Sequence, residues 1–236
     1  MGPYFVTGAS SGLGYALCKN LLLQNQVVYG ISRRKPDIQH LNFHYQQIDL
    51  NELDTISDRI TEMLESLEAP RTVILNAGVL GHLNNMKKIN VNDIQQIMTS
   101  NVWGHKVLLD HLLNYPELKQ VVAVSSGAAV KSYKGWGAYS LSKATLNMLM
   151  QVYSQEFEQV HFSAIAPGLV DTAMQDYLCT QVSPDDFPSV QRLREARGTQ
   201  AMPNADQAAV LFLKALTQVL QLDSGVFTDV RKLTLS

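Results

Sequence analysis

Four polar residues stand at spacings that could do acid–base chemistry. Tyr139 and Lys143 lie four positions apart, which puts both on one face of a helix. An ammonium beside a phenol favours the phenolate and lowers the phenol pKa from its usual ~10. That would make Tyr139 a usable proton donor to a carbonyl near neutral pH. Taken alone, the pair reads as an ordinary surface contact. Ser126 ends an apolar, β-rich run shortly before it. Its hydroxyl could hydrogen-bond a substrate carbonyl oxygen and turn it towards Tyr139, although Ser125 beside it offers the same group. Asn101 sits inside a helical pattern, where Asn is a mild liability. A buried Asn bonding locally accounts for it as well.

A second set of residues suits phosphate. Thr7-Gly8-Ala9-Ser10-Ser11-Gly12-Leu13-Gly14 joins a short apolar run to a helical one. Glycine is needed where the chain turns tightly and where backbone approaches a pyrophosphate. The helix start then offers free N–H groups and the positive end of its dipole. The spacing is G-x3-G-x-G rather than GxGxxG, and a plain glycine-rich turn is the alternative. After the next β-rich run comes Ser32-Arg33-Arg34-Lys35 with no acidic residue. An acid there would hold the ribose 2′-hydroxyl of NAD, whereas Arg accommodates the 2′-phosphate of NADP. Arg33, seconded by Arg34, therefore points to NADP(H), against the alternative of a solvated basic turn.

The elements that must position these groups follow from periodicity. Strands are predicted at 3–7, 27–32, 42–49 (the weakest), 72–76, 120–126, 160–166 and 225–230. Helices are predicted at about 13–25, 51–67, 91–113, 137–158 and 205–220, with a loop from Arg33 to Leu41. Residues 171–202 look irregular. Strands alternating with helices imply a parallel sheet covered on both faces. The expectation is one doubly wound α/β domain spanning 1–236, a Rossmann-type fold with seven parallel strands. Such folds bind ligands beyond the carboxyl ends of the strands. Every motif falls at that edge except the Tyr139/Lys143 pair, which lies on the 137–158 helix.

Composition narrows the function classes. The chain has 236 residues, 46% of them hydrophobic and 17% charged, which excludes wholesale disorder. A net charge of −2 gives no basic excess for nucleic acid. Cys18 and Cys179 are isolated and the six histidines form no ligand motif, so neither a disulfide framework nor a metal site is expected. No apolar run approaches the ~18 residues of a membrane span, and the N-terminus lacks a signal-peptide pattern. A cytoplasmic location is expected.

Together these motifs resemble the short-chain dehydrogenase/reductase family. TGASSGLG, Asp49, Asn76-Ala77-Gly78, Asn101, Ser126, Tyr139-Ser-Leu-Ser-Lys143 and Pro167-Gly-Leu-Val-Asp-Thr172 fall in the family's order and spacing. The resemblance implies a catalytic tetrad of Asn101, Ser126, Tyr139 and Lys143, with Asn101 holding a water in a proton relay and Lys143 also bonding the nicotinamide ribose. It implies that Asp49 and Leu50 meet adenine and that Asn76, Ala77 and Gly78 line the adenosine ribose. Pro167, Gly168, Val170 and Thr172 would hold the nicotinamide, with Ser10, Ser11, Leu13 and the turn glycines on the phosphates. Asp171 and Thr172 are also candidates to cap the next helix. Lys134-Gly-Trp-Gly-Ala-Tyr139 and Gly168-Leu-Val-Asp-Thr-Ala-Met-Gln175 look like the sepiapterin reductase branch, near which the bacterial benzil reductases stand. That likeness makes Asp229 a candidate substrate anchor, the alternative being a strand-end residue. Ser11 departs from the basic residue that many NADP-preferring members carry before Gly12.

Residues 173–202 mix Met174, Tyr177, Leu178, Phe187, Leu193 and Met202 with charged positions. Two short helices there would form a lid, or simply an amphipathic subdomain. Trp136 would wall an aromatic substrate or fill the core. The expected activity is NADPH-dependent reduction of a ketone or diketone carbonyl, sepiapterin-like or benzil-like. The alternatives are a non-catalytic NADP-sensing module or an enzyme working oxidatively. Family members commonly pair through helices equivalent to 91–113 and 137–158, so a homodimer (or homotetramer) is implied. Val91, Ile94, Ile97, Met98, Leu146, Leu149, Met150 and Tyr153 would supply apolar contacts there or face the sheet.

Overall fold

A computed structural model describes residues 2–234. Seven strands pair in parallel: β1 (Tyr4–Thr7), β2 (Val28–Ser32), β3 (Phe43–Gln47), β4 (Thr72–Leu75), β5 (Gln120–Val124), β6 (His161–Ala166) and β7 (Val226–Asp229). Their order is β3-β2-β1-β4-β5-β6-β7. The order reverses between β1 and β4, which opens a crevice at their carboxyl ends. Gly8 follows β1, and Asn76-Ala77-Gly78 follows β4.

Alternation along the strands divides the core. Phe5, Val73, Leu75 and Val121 point to one face, where they meet Ile56, Ile60, Leu108, Leu112, Leu146 and Met150. These side chains come from α2 (Leu53–Leu64), α4 (Gly104–Leu112) and α5 (Gly137–Glu156). Tyr4, Val6, Ile74 and Val122 point the other way. They meet Leu17 and Leu21 of α1 (Gly12–Leu23) and Phe212 and Leu216 of α8 (Ala205–Gln218). Each such side chain, fully buried, contributes about 1.5–3 kcal/mol. Helix α8 starts in a capping box, with Asn204 and Gln207 each accepting the other's backbone N–H.

The structure departs from the predicted helix at 91–113. That run comprises α3 (Val91–Met98), a π-helical segment (Thr99–Trp103) and α4. The break centres on Asn101, whose side chain bonds outside its own helix. As predicted, no helix separates β2 from β3. Residues 172–203 form an excursion carrying α6 (Ala173–Gln181) and α7 (Ser189–Ala196). It is closed at its base by an isolated parallel bridge between Asp171 and Asn204. Its apolar side chains form a third cluster of their own with Leu80, Ala128 and Tyr139.

The glycine turn packs tightly at Gly14. A Cβ there would come within 2.3 Å of both Asn76 Nδ2 and the Gly8 carbonyl. The third glycine of the turn thus sets the distance between helix α1 and the sheet. Gly14→Ala should overpack this contact and cost about 1–3 kcal/mol of stability, read as a lower urea midpoint. An unchanged midpoint would contradict this packing.

Candidate active site

One cleft of about 430 Å³ runs along the carboxyl edge of the sheet. Gly8, Ser10, Ser11, Gly12, Leu13, Arg33, Arg34, Asp49, Leu50, Asn76, Ala77 and Gly78 line one part of it. Ser126, Trp136, Tyr139, Lys143, Pro167, Gly168, Val170, Thr172 and Met174 line the remainder. Three residues that the sequence placed at the site stand outside its wall. Gly14 packs behind the turn, Asn101 is wholly buried, and Asp229 is engaged elsewhere.

The turn end of the cleft is built for an anion. The start of α1 receives no side-chain cap from Ser11 and carries no acidic residue in its first turn. Its first N–H groups therefore keep their capacity for a bound oxyanion. Asn76 Nδ2 donates to the Thr7 carbonyl at 3.0 Å, and Ala77 N–H donates to Thr7 Oγ1 at 2.9 Å. Asn76 thus ties the two loops together rather than offering its amide to a ribose. Among the described residues, neither the Arg33 nor the Arg34 guanidinium has an ion-pair partner, and both side chains are exposed. Asp49 accepts from Asn51 through both backbone and side-chain N–H.

At the other end, β5 and α5 bring the polar groups together. Lys143 is buried, and its ammonium donates to the Val124 carbonyl at 2.8 Å. It lies 5.9 Å from the centre of the Tyr139 ring. Burial pushes Lys143 down to about 8. Burial also raises Tyr139, with the Ser126 hydroxyl pulling the other way. This corrects the expectation from spacing: taking the phenolate out of water outweighs the hydrogen bond with Ser126 and raises the phenol. The two serines separate cleanly. Ser125 gives its hydroxyl to Asn147 Oδ1 at 2.6 Å, whereas Ser126 stands beside Tyr139.

Asn101 accepts from Val79 N–H at 2.7 Å and donates both N–H groups, to the Val79 carbonyl and to Ser142 Oγ, each at 2.9 Å. Ser142 Oγ in turn donates to the Tyr139 carbonyl at 2.8 Å. The amide therefore clamps the loop after β4 to α5. A Cβ on Gly78 would fall 3.3 Å from Asn101 Oδ1 and 3.4 Å from Lys143 Nζ, so the three converge on one point.

Around the mouth, Trp136 donates Nε1–H to Ser189 of α7 at 2.9 Å and packs edge-on to Tyr139. It is at once cleft wall and packing for the excursion. Thr172 precedes α6 but makes no side-chain cap bond. Asp171 pairs with Arg197, which also holds Asp176. Asp229 accepts from the Arg231 side chain through both carboxylate oxygens, at 2.8 and 2.5 Å, and from the Arg231 backbone. Its burial is outweighed by these bonds, which hold it below the usual carboxylate range. The carboxylate offered by sequence as a substrate anchor is taken by Arg231, whose side chain lies close to Gly168. Nothing in the sequence distinguishes that ion pair from a free acid.

Sequence reasoning also passed over His105. It is wholly buried, 3.2 Å from Thr7 Oγ1 and 3.2 Å from the Asn101 carbonyl. It shares the apolar stripe of Leu108, Leu109 and Leu112 on α4, and a histidine on such a stripe was the available signal. Burial, then the charge of Lys143, depresses it to about 3, against a small opposing pull from the Asn101 carbonyl.

Residues 4–182 match the short chain dehydrogenase family. A benzil reductase, (S)-benzoin forming, of Bacillus subtilis is 32% identical over 98% of this chain and 99% of its own. Sepiapterin reductase of Mus musculus is 30% identical over 95% and 94%. The crystal structure of the Saccharomyces cerevisiae short chain dehydrogenase/reductase YIR035C aligns with a TM-score of 0.87 at 27% identity, covering 97% of this chain and 96% of that one.

The depressed His105 has a pH consequence. The folded state binds its proton only near pH 3, whereas the unfolded chain does so at the ordinary 6.5. Stability is therefore lost as pH falls below 6.5, by about 2 kcal/mol between pH 7 and 5. Urea unfolding at the two pH values should show this loss in the wild type and a smaller one in His105→Asn. Equal losses in both proteins would remove His105 from that role.

Proposed function

The chain belongs to the short chain dehydrogenase family of NAD(P)-dependent oxidoreductases, and on that premise we propose that it is an NADPH-dependent carbonyl reductase of ketones or diketones. The observation that carries this reading is the convergence of Ser126, Tyr139 and Lys143 on the cleft that the glycine turn also lines. The residues fit a dinucleotide. The uncapped start of α1 takes the pyrophosphate, with Gly8, Ser10, Ser11, Gly12 and Leu13 around it. Asp49 and Leu50 border the adenine, Ala77 and Gly78 the ribose, and Pro167, Gly168, Val170 and Thr172 the nicotinamide. The free guanidinium of Arg33, with Arg34, takes the 2′-phosphate and selects NADP(H) over NAD(H). A reduced nicotinamide held there supplies the hydride.

The chain's own residues do the remainder. The Ser126 hydroxyl bonds the substrate carbonyl oxygen and aims it at Tyr139. Because burial keeps Tyr139 protonated at neutral pH, its hydroxyl has a proton to give to that oxygen as charge develops. The Lys143 ammonium then stabilises the phenolate left behind. With one of its three N–H groups bonded among the described residues, it also reaches the nicotinamide ribose. Asn101 holds the surrounding loops so that these groups stay aligned.

Trp136 and Met174 give the substrate side an aromatic and polarisable wall, continued by Leu178 and Leu193. That wall, together with the benzil and sepiapterin reductase relatives, supports an aromatic dicarbonyl or pterin-like substrate. Asp229 is left to its pair with Arg231. Helices α6 and α7 act as the lid over the reacting carbonyl. Trp103, Leu141, Met148 and Val152 leave an exposed apolar face along the π segment and α5. It supports a homodimer in which these residues, rather than the core-facing Leu146, Met150 and Tyr153, make the contact.

Purified protein should oxidise NADPH in the presence of benzil or sepiapterin. Tyr139→Phe should lower kcat by roughly 10²–10⁴-fold with NADPH still bound, followed by loss of nicotinamide absorbance. Turnover unaffected by this change would overturn the assignment. Arg33→Ala should raise the KM for NADPH about 10–100-fold and leave that for NADH nearly unchanged. Parallel changes in both would argue that Arg33 does not read the 2′-phosphate.

A further inference from the structure

The two nitrogens of His105 reach two different parts of the site. Nδ1 faces the main-chain carbonyl of Asn101 in the π segment, and Nε2 faces the hydroxyl of Thr7 at the glycine turn. A carbonyl oxygen only accepts, so the ring proton must sit on Nδ1. Nε2 is then an acceptor, and the Thr7 hydroxyl donates to it. That leaves the Thr7 oxygen free to accept the Ala77 N–H. In this arrangement every donor has an acceptor. Burial of the ring keeps it neutral, as this pattern needs.

Each side of the ring holds a different set of groups. Thr7 governs the cofactor end: its hydroxyl and carbonyl bind Ala77 and Asn76, which line the cleft. Asn101 governs the reacting end: its amide reaches Val79 and, through Ser142, the turn of α5 that carries Tyr139. We propose that His105 is a positioning residue that sets the cofactor-binding turn and the reacting centre in register through one imidazole. The proposal rests on the carbonyl-reductase reading and adds to it a residue that touches neither substrate nor cofactor.

The two contacts are separable by mutation. In His105→Asn the side-chain N–H replaces Nδ1–H and keeps the Asn101 carbonyl, while the bond from Thr7 is lost. In His105→Gln the side-chain oxygen replaces Nε2 and keeps Thr7, while the bond to Asn101 is lost. His105→Phe loses both. The dissociation constant for NADPH, by fluorescence titration, and kcat with benzil are measured for all three. His105→Asn should raise the NADPH dissociation constant about tenfold over His105→Gln, and His105→Gln should lower kcat about tenfold relative to His105→Asn. A lower melting temperature in all three with both constants at wild-type values would make the ring merely structural and overturn the proposal. So would equal changes in His105→Asn and His105→Gln. Wild-type protein that binds NADPH but reduces no carbonyl would overturn the functional reading instead. The dissociation constants then decide alone: Asn above Gln upholds the cofactor-side link, and equality overturns it.

Discussion

A lysine ammonium held out of water organises this molecule. Among the described residues, buried Lys143 has a single carbonyl partner, and an isolated buried charge is expensive. The fold meets that cost by crowding polar groups around one point at the sheet edge. The end of β5 supplies the carbonyl, α5 supplies the lysine and the phenol, and the loop after β4 passes at Gly78 with no side chain to intervene. The parallel sheet makes the arrangement possible, because its strands end together at one edge. The same burial that strains the lysine keeps the Tyr139 proton in place, so one environment fixes the charge state of both residues.

The sheet edge also explains how distant segments cooperate. Thr7 ends β1, Asn76 and Ala77 follow β4, Asn101 comes from the π segment, His105 from α4 and Ser142 from α5, yet they form one hydrogen-bonded chain through the interior. Such a network rigidifies a site when every member is satisfied. The π segment is the local irregularity that lets Asn101 turn its amide away from its own helix and into this chain. Irregular helical turns of this kind often mark functional positions.

Much of this was legible in the residues. The period-2 and period-3.6 patterns gave the seven strands and the main helices, because apolar burial decides both. The glycine turn, Ser126, Tyr139 and Lys143 were readable because chemistry restricts their types and spacing. Other features depend on contacts between segments far apart in the chain. The π segment breaks no hydrophobic period, since its neighbours on both sides continue one apolar stripe. The direction of the Tyr139 shift turns on burial, which spacing does not report. Asp229 looks free until Arg231 is seen to fold back on it. His105 advertised itself only as a polar residue on an apolar stripe.

The base of the α6–α7 excursion has a consequence beyond this molecule. Residue 171 and residue 204 meet in a single bridge, and the apolar side chains between them cluster with one another and with Leu80, Ala128 and Tyr139 of the scaffold. A segment that leaves and rejoins the scaffold at one point can change length or sequence at little entropic cost, because closure depends only weakly on the number of residues enclosed. The sheet and its polar centre form a fixed chassis, and the excursion is an exchangeable cassette plugged into it. If the proposed function holds, another 173–203 segment grafted between the same anchor points would change the substrate wall while Ser126, Tyr139 and Lys143 stay in place.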